Sequence, residues 1–164
     1  MAGGLPPAYI PGVPFSSTPS GPMLPPIDEI VSNFEFLDEW DDRHQYLMEL
    51  GRKLPPLPDE AHSEANRVRG CVSQVWLETH VDRSGPEPRL HFLGDSDAHI
   101  TKGVVAVLIA FFDGRTAADA ARADAIALFQ TLGLSEHLTA QRSNGARAMM
   151  DRIRADAQGV AAAA

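Results

Sequence analysis

The sequence predicts one α+β domain, in which helices pack with a small antiparallel sheet. Apolar residues recur at helical spacing both before and after one short stretch in which apolar and polar residues alternate. A turn rich in Gly and Pro follows that stretch and leads into a second short strand, which is the pattern of a hairpin. The length of 164 residues suits a single domain, and the hydrophobic (44%) and charged (22%) fractions are close to globular averages.

Composition sets the expected domain limits. Residues 1–26 hold most of the 13 prolines, together with Gly and Ser. Such a segment buries too little apolar surface to offset its ordering entropy. We therefore expect a disordered tail over residues 1–26 and the folded domain over residues 27–156. The Ala-rich residues 157–164 are expected to be a fraying helix end.

Two helices are expected before the sheet. Apolar residues follow helical spacing over residues 27–37, and a second amphipathic stretch covers residues 39–50. Gly51 has the residue type that commonly follows a helix end. The proline-rich residues 54–58 then stop any helix.

The sheet is expected to be a hairpin. Residues 75–81 alternate between apolar and polar side chains, residues 83–88 contain Gly and two prolines, and residues 89–93 form a short returning strand. Residues 94–97, Gly-Asp-Ser-Asp, are expected to be a strand-to-helix turn whose Ser and Asp cap the next helix.

The rest of the chain is expected to be helical. A largely apolar helix over residues 98–112 should end at Asp113-Gly114. Thr116 is expected to cap a short helix. An amphipathic helix over residues 123–132 and a last helix over residues 139–156 complete the domain.

Charge and motif content exclude several classes of protein. The net charge of −8 argues against nucleic-acid binding, because nucleic-acid binders carry basic surfaces. The longest apolar run, residues 104–112, is too short to span a bilayer, and no targeting signal is visible, so we expect a cytoplasmic protein that binds no membrane. A single cysteine permits neither a disulfide framework nor a four-thiolate site, and no metal is expected.

Cys71, the only cysteine, is the candidate reactive residue. It lies on the loop that leads into the first strand, and loops commonly carry functional residues. Arg67 and Arg69 precede it closely, and nearby cations favour the nucleophilic thiolate. Gly70 permits unusual backbone angles beside the sulfur. The local pattern alone leaves a second interpretation open, in which Cys71 is a buried structural residue and both arginines are solvated.

Several segments, in the same order along the chain, resemble the SufE family of sulfur-acceptor proteins. The most specific is Arg-Gly-Cys-x-Ser-Gln-Val-Trp over residues 69–76, in which Val72 stands where the family often has Gln. The resemblance spans residues 40–154, and helical similarity extends back to Ile27. The segments that carry it are residues 40–43, 49–55, 66–76, 94–97 and 141–145.

The resemblance implies a fold shared with the IscU-type scaffold domain. It also implies that Cys71 takes sulfur, as a transient persulfide, from a PLP-dependent cysteine desulfurase of the SufS class, stimulates that enzyme and delivers the sulfur to the Suf cluster-assembly scaffold. The PLP belongs to the desulfurase, so no cofactor is expected on this chain. Asp97 is implied to lie on the thiol side or at a partner contact, and Arg142 near the cysteine.

Two other functions stay open. The chain could be a non-catalytic adaptor that binds a desulfurase or a scaffold, with Cys71 structural, or a thiol enzyme acting on a small molecule, for which no motif is visible. Whether a persulfide carrier counts as an enzyme is also open, since no turnover is expected without its partner. A carrier should shield its sulfur when free, which predicts low exposure of Cys71 and flexible residues 66–72.

Overall fold

The computed structural model describes residues 24–71 and 73–163, and over these it is an α+β domain, as predicted. Most of the predicted tail, residues 1–23, lies outside the described residues. The elements are α1 (Ile27–Phe36), α2 (Trp40–Arg52), a single 3-10 turn (Asp59–Ala61), β1 (Val75–Asp82), β2 (Arg89–Ser96), α3 (His99–Phe112), α4 (Ala117–Arg122), α5 (Ala125–Thr131), α6 (Leu134–His137) and α7 (Ala140–Ala163).

Helix α3 is the centre of the domain. Its sequence is apolar around most of its circumference, which is typical of a fully buried helix. Most of its residues are buried, and it packs against α2 on one side and β2 on the other. None of the described helices is both long and apolar enough to cross a bilayer.

Helices α2 and α3 approach closely at two glycines. A Cβ at Gly103 would overlap the Leu47 backbone, and one at Gly51 would lie 2.9 Å from the Gly103 nitrogen. The prediction that Gly51 follows the helix end is wrong, because α2 continues to Arg52 with Gly51 buried inside it. The absent side chain serves the contact between the two helices.

The predicted hairpin is confirmed, with Val75 opposite Ser96 at one end and Asp82 opposite Arg89 at the other. The second strand is longer than predicted. Gly94 belongs to it and packs on α3, since a Cβ there would lie 2.8 Å from a Val105 methyl group.

The predicted capping of α3 by the residue 94–97 turn is wrong. The hairpin pairs as far as Ser96, so the turn is shorter than expected, and Ala98 is the N-cap residue, with no side-chain cap bond. Ser96 Oγ instead accepts from the Ala98 nitrogen at 3.3 Å. The Asp97 carboxylate turns back to the start of β1, where it accepts from the Gln74 nitrogen.

The C-terminal half encloses the other side of the core. Thr116 caps α4 as predicted, accepting from the Asp119 nitrogen at 3.1 Å. The helix predicted to begin at residue 123 begins two residues later, because Asp124 caps it through the Ala127 nitrogen. Helix α7 packs on α4 and also lies against α3 and β1, so it closes the domain beside the hairpin.

Candidate functional site

Cys71 lies in a loop whose base is closed by backbone hydrogen bonds. The Val68 nitrogen donates to Val75 O at 2.9 Å, and the Leu77 nitrogen donates to Asn66 O at 2.8 Å. Residues 66–68, here called the stem, therefore pair with the beginning of β1. We call residues 69–74 the cysteine loop, which is described apart from residue 72.

Gly70 gives the cysteine loop its turn. Its φ of +91° lies in the left-handed region, which a side chain disfavours. A Cβ at this position would also lie 3.4 Å from the Ala148 side chain of α7. The expectation that Gly70 supplies an unusual backbone angle beside the thiol is confirmed.

Helix α7 contacts the thiol at Gly145. The Sγ of Cys71 donates to Gly145 O at 3.6 Å, a long contact that suits the weak thiol donor. A Cβ at Gly145 would lie 3.2 Å from Sγ, which is tighter than most real contacts, so the absent side chain leaves room for the sulfur against the helix. The thiol is half-buried rather than fully enclosed.

A cavity of about 60 Å³ opens beside the thiol. It has room for a few atoms, whereas pockets for drug-sized ligands hold on the order of 300–1,000 Å³. The hydroxyl of Thr101 lies 3.5 Å from that of Ser73 in its wall. The cavity is lined by Cys71, Ser73, Thr101, Gln141, Arg142 and Gly145.

Burial dominates the electrostatics of the thiol. Burial raises the pKa of Cys71 above its ordinary value, and the nearby Arg67 guanidinium opposes this only in part. Both arginines pair with Glu64, but only Arg67 acts on the thiol, and the Arg69 side chain is 77% exposed. One of the two expected cations therefore affects the sulfur, and the thiol is mainly protonated at neutral pH.

The two more distant candidates have different positions. Arg142 lines the cavity together with Cys71. Asp97 is exposed and does not line it, but its carboxylate accepts from the Gln74 nitrogen at 3.0 Å and its own nitrogen donates to Gln74 O at 3.2 Å. Asp97 therefore fixes the end of the cysteine loop.

The predicted site residues left out four residues that line the cavity, Ser73, Thr101, Gln141 and Gly145. Ser73, Gln141 and Gly145 belong to segments that carry the family resemblance, so a signal for them existed. Thr101 lies in the first turn of an apolar helix and had none. Across the described chain, no group of three or more His, Cys, Asp or Glu side chains is placed to hold a metal ion.

The fold and the site together define a small α+β protein that presents a single shielded thiol on a loop at the end of a hairpin. The chain belongs to the SufE family, since the model of that family, described as the Fe-S metabolism associated domain, matches residues 28–157.

Relatives of similar length support the family assignment. The chain is 47% identical over 133 residues to a SufE-like protein of Rhizobium meliloti (strain 1021), covering 81% of this chain and 95% of the relative. It is 37% identical over 142 residues to the sulfur acceptor protein CsdE of Escherichia coli (strain K12), covering 87% and 90%.

A solved structure is similar to the fold. The solution structure of a hypothetical protein from Thermus thermophilus superposes with a TM-score of 0.63 at 25% identity, covering 84% of this chain and 97% of that one.

Proposed function

We propose that this chain is a sulfur acceptor and carrier that receives persulfide sulfur on Cys71 from a PLP-dependent cysteine desulfurase of the SufS type. One observation carries the proposal. The only cysteine lies in a loop closed by backbone hydrogen bonds, half-buried beside a cavity of about 60 Å³. Family membership and the similarity to a protein named as a sulfur acceptor support the same role.

The transfer step is a thiol–persulfide exchange. The Cys71 thiolate attacks the outer sulfur of the desulfurase persulfide, a new S–S bond forms at Cys71, and the S–S bond on the desulfurase breaks. The desulfurase cysteine leaves as a thiolate, so the sulfur moves without net oxidation or reduction. In a second exchange of the same kind, the Cys71 persulfide is the donor and delivers the sulfur to a cluster-assembly scaffold of the Suf type.

The raised pKa of Cys71 fits a carrier that is inactive when free. A mainly protonated thiol reacts slowly with oxidants and with other thiols. Docking that draws the cysteine loop away from α7 would remove the burial that raises the pKa and leave Arg67 as the dominant influence. Acceptance of sulfur would free the desulfurase for another cycle and so stimulate it.

The PLP belongs to the desulfurase, and this chain carries only the transient persulfide. We place the reaction in the cytoplasm, where thiols stay reduced. A self-contained enzyme acting on a small molecule is disfavoured by the size of the cavity beside Cys71.

Mass spectrometry tests the proposal. The protein is incubated with a SufS-type desulfurase and L-cysteine, and intact and peptide masses are recorded with and without dithiothreitol. We expect a reducible gain of one sulfur on Cys71 and none in Cys71→Ser. If Cys71 gains no sulfur while the protein binds and stimulates the desulfurase, and Cys71→Ser does the same, the chain is the non-catalytic adaptor.

A further inference from the structure

His62, which lies just before the stem in the chain, contacts three parts of the fold. Its Nε2 lies 2.8 Å from Asp95 Oδ2 on β2, and its Nδ1 lies 3.0 Å from Pro58 O. Its ring meets Trp76 of β1 edge-on, with 4.7 Å between the ring centroids. The other carboxylate oxygen of Asp95, Oδ1, lies 3.3 Å from Lys102 Nζ of α3.

Both ring nitrogens of His62 face hydrogen-bond acceptors. A carbonyl and a carboxylate oxygen can only accept, and neutral imidazole donates from one nitrogen alone. Only the imidazolium makes both bonds. In agreement, the hydrogen bond to Asp95 raises the pKa of His62 more than burial lowers it, and the Pro58 carbonyl acts in the same direction as Asp95.

These contacts border the stem directly. Trp76 pairs with Asp95 across the hairpin and with Arg67 of the stem on its other side. The Asn66 side chain, also in the stem, donates at 2.9 Å to the carbonyl immediately before His62. Whatever loosens His62 therefore loosens the segment that leads into the cysteine loop.

We propose that His62 is a positioning residue for sulfur transfer: as an imidazolium it holds the stem against the hairpin and keeps Cys71 against α7, and as neutral imidazole it releases the stem. The inference rests on the proposed function, to which it adds control by pH. Loss of the proton removes one of the two hydrogen bonds, so the stem opens more often. Transfer then becomes easier above the His62 titration, in addition to the gain from thiolate formation.

The charged groups around His62 favour its protonated form. Asp95 contacts it from β2, Asp59 of the 3-10 turn acts through a backbone contact, and Lys102 of α3 touches only the far oxygen of Asp95. Strand β1 contributes the uncharged Trp76. Burial alone would raise the pKa of Asp95, but hydrogen bonds from His62 and from the backbone, with the charge of Lys102, hold it below its usual value, so the carboxylate stays charged.

Amide hydrogen exchange of the free full-length protein tests the stem. The Val68 and Leu77 amides, which bond across it, are followed from about pH 5.5 to about pH 8.5, the range in which histidine titrates. After correction for intrinsic exchange rates, we expect their protection to fall about fivefold as His62 loses its proton, the equivalent of one ordinary hydrogen bond. His62→Gln, which cannot titrate, should show low protection at every pH. His99→Gln, at an exposed position in α3, is the matched control and should behave as wild type.

Transfer is measured on the same preparations. Below the His62 titration, His62→Gln should accept sulfur about fivefold faster than wild type, and above it the two rates should converge. Asp95→Asn should likewise remove the change in stem protection with pH, because it removes the carboxylate that favours the imidazolium. Equal protection at every pH in wild type, or an unchanged step in His62→Gln, would overturn the inference. A step in stem protection without sulfur on Cys71 would instead contradict the proposed function.

Discussion

The Sγ of Cys71 lies 3.6 Å from the carbonyl oxygen of Gly145, a residue 74 positions further along the chain. This contact joins the cysteine loop to α7 and contributes to the half-buried state of the thiol. The reactivity of Cys71 therefore depends on the position of α7, which contacts the sulfur through the Gly145 backbone.

Replacing Gly145 with Ala should expose and activate the thiol. The new Cβ would lie 3.2 Å from Sγ, closer than most real contacts, so we expect the cysteine loop to shift outward. Less burial lowers the pKa of Cys71 toward its ordinary value, and alkylation by iodoacetamide at about pH 7.5 should become several times faster. The rate constant of alkylation by iodoacetamide is measured for the variant and for wild type.

The matched control for this substitution lies on the same helix. A Cβ at Gly159 would meet nothing within 4 Å, so Gly159→Ala should leave the thiol unchanged. It should stabilise the protein by about 0.5–1 kcal/mol through helix propensity, measured by urea unfolding. An alkylation rate in Gly145→Ala equal to that in Gly159→Ala would mean that α7 yields to the methyl group and does not control the thiol.

Arg67 and Arg69 should differ in their effect on the thiol. The Arg67 guanidinium lowers the pKa of Cys71 against the larger effect of burial, so Arg67→Gln should raise that pKa further and slow alkylation at about pH 8. Arg69 is largely exposed and is not among the groups that shift this pKa, so Arg69→Gln should leave the rate unchanged. The rates are compared over a pH series for the two variants. Equal slowing by both would show that Arg69 also acts on the sulfur.

Stability should depend on pH through His62. The pKa of His62 is raised in the folded protein above its unfolded value of about 6.5. The stabilisation from its pair with Asp95 is therefore complete below about pH 6.5 and is lost as pH rises through the folded pKa.

The free energy of unfolding by urea, measured over a pH series, checks this dependence. The difference between wild type and His62→Gln should be largest at about pH 5.5 and should shrink toward pH 8.5. His99→Gln provides the control for general effects of losing a histidine. A difference that does not vary with pH would show that His62 contributes packing alone.

Local patterns predicted the hairpin, the position of Cys71 and every helix except the short α6, because each depends on periodicity or on residues close in sequence. The two misjudged glycines show where that reasoning ends. Gly51 and Gly94 have residue types common at helix ends and turns, but each is required by the close packing of α3. The sequence alone does not show how closely α3 approaches these two glycines.

The site was predictable only in part for the same reason. The sequence alone placed the thiol on its loop, and the family resemblance placed Arg142 near the cysteine loop. The contact of Cys71 with Gly145 and the pair between His62 and Asp95 join distant parts of the chain. The sign of the Cys71 pKa shift depends on tertiary packing around the thiol, including its contact with Gly145, because burial outweighs the neighbouring cation.

Asp97 permits a test that separates anchoring of the loop from contact with a partner. Its carboxylate accepts from the Gln74 nitrogen at 3.0 Å, at the end of the cysteine loop. Asp97→Asn keeps an oxygen acceptor and removes the charge, whereas Asp97→Ala removes both. If anchoring is the role, Asp97→Asn should transfer sulfur at a rate close to that of wild type, and Asp97→Ala should be slower by about fivefold, the equivalent of one hydrogen bond.

Salt dependence distinguishes the two possible roles of Asp97. Contact with a basic partner surface requires the charge, so both variants would then lose affinity for the desulfurase equally, and wild-type binding would weaken as salt is added. Anchoring instead predicts unchanged affinity in both variants and a lower transfer rate in Asp97→Ala alone. Because the side chain is exposed and the two roles differ in what the Asn variant retains, binding and transfer measured together assign Asp97 to one of them.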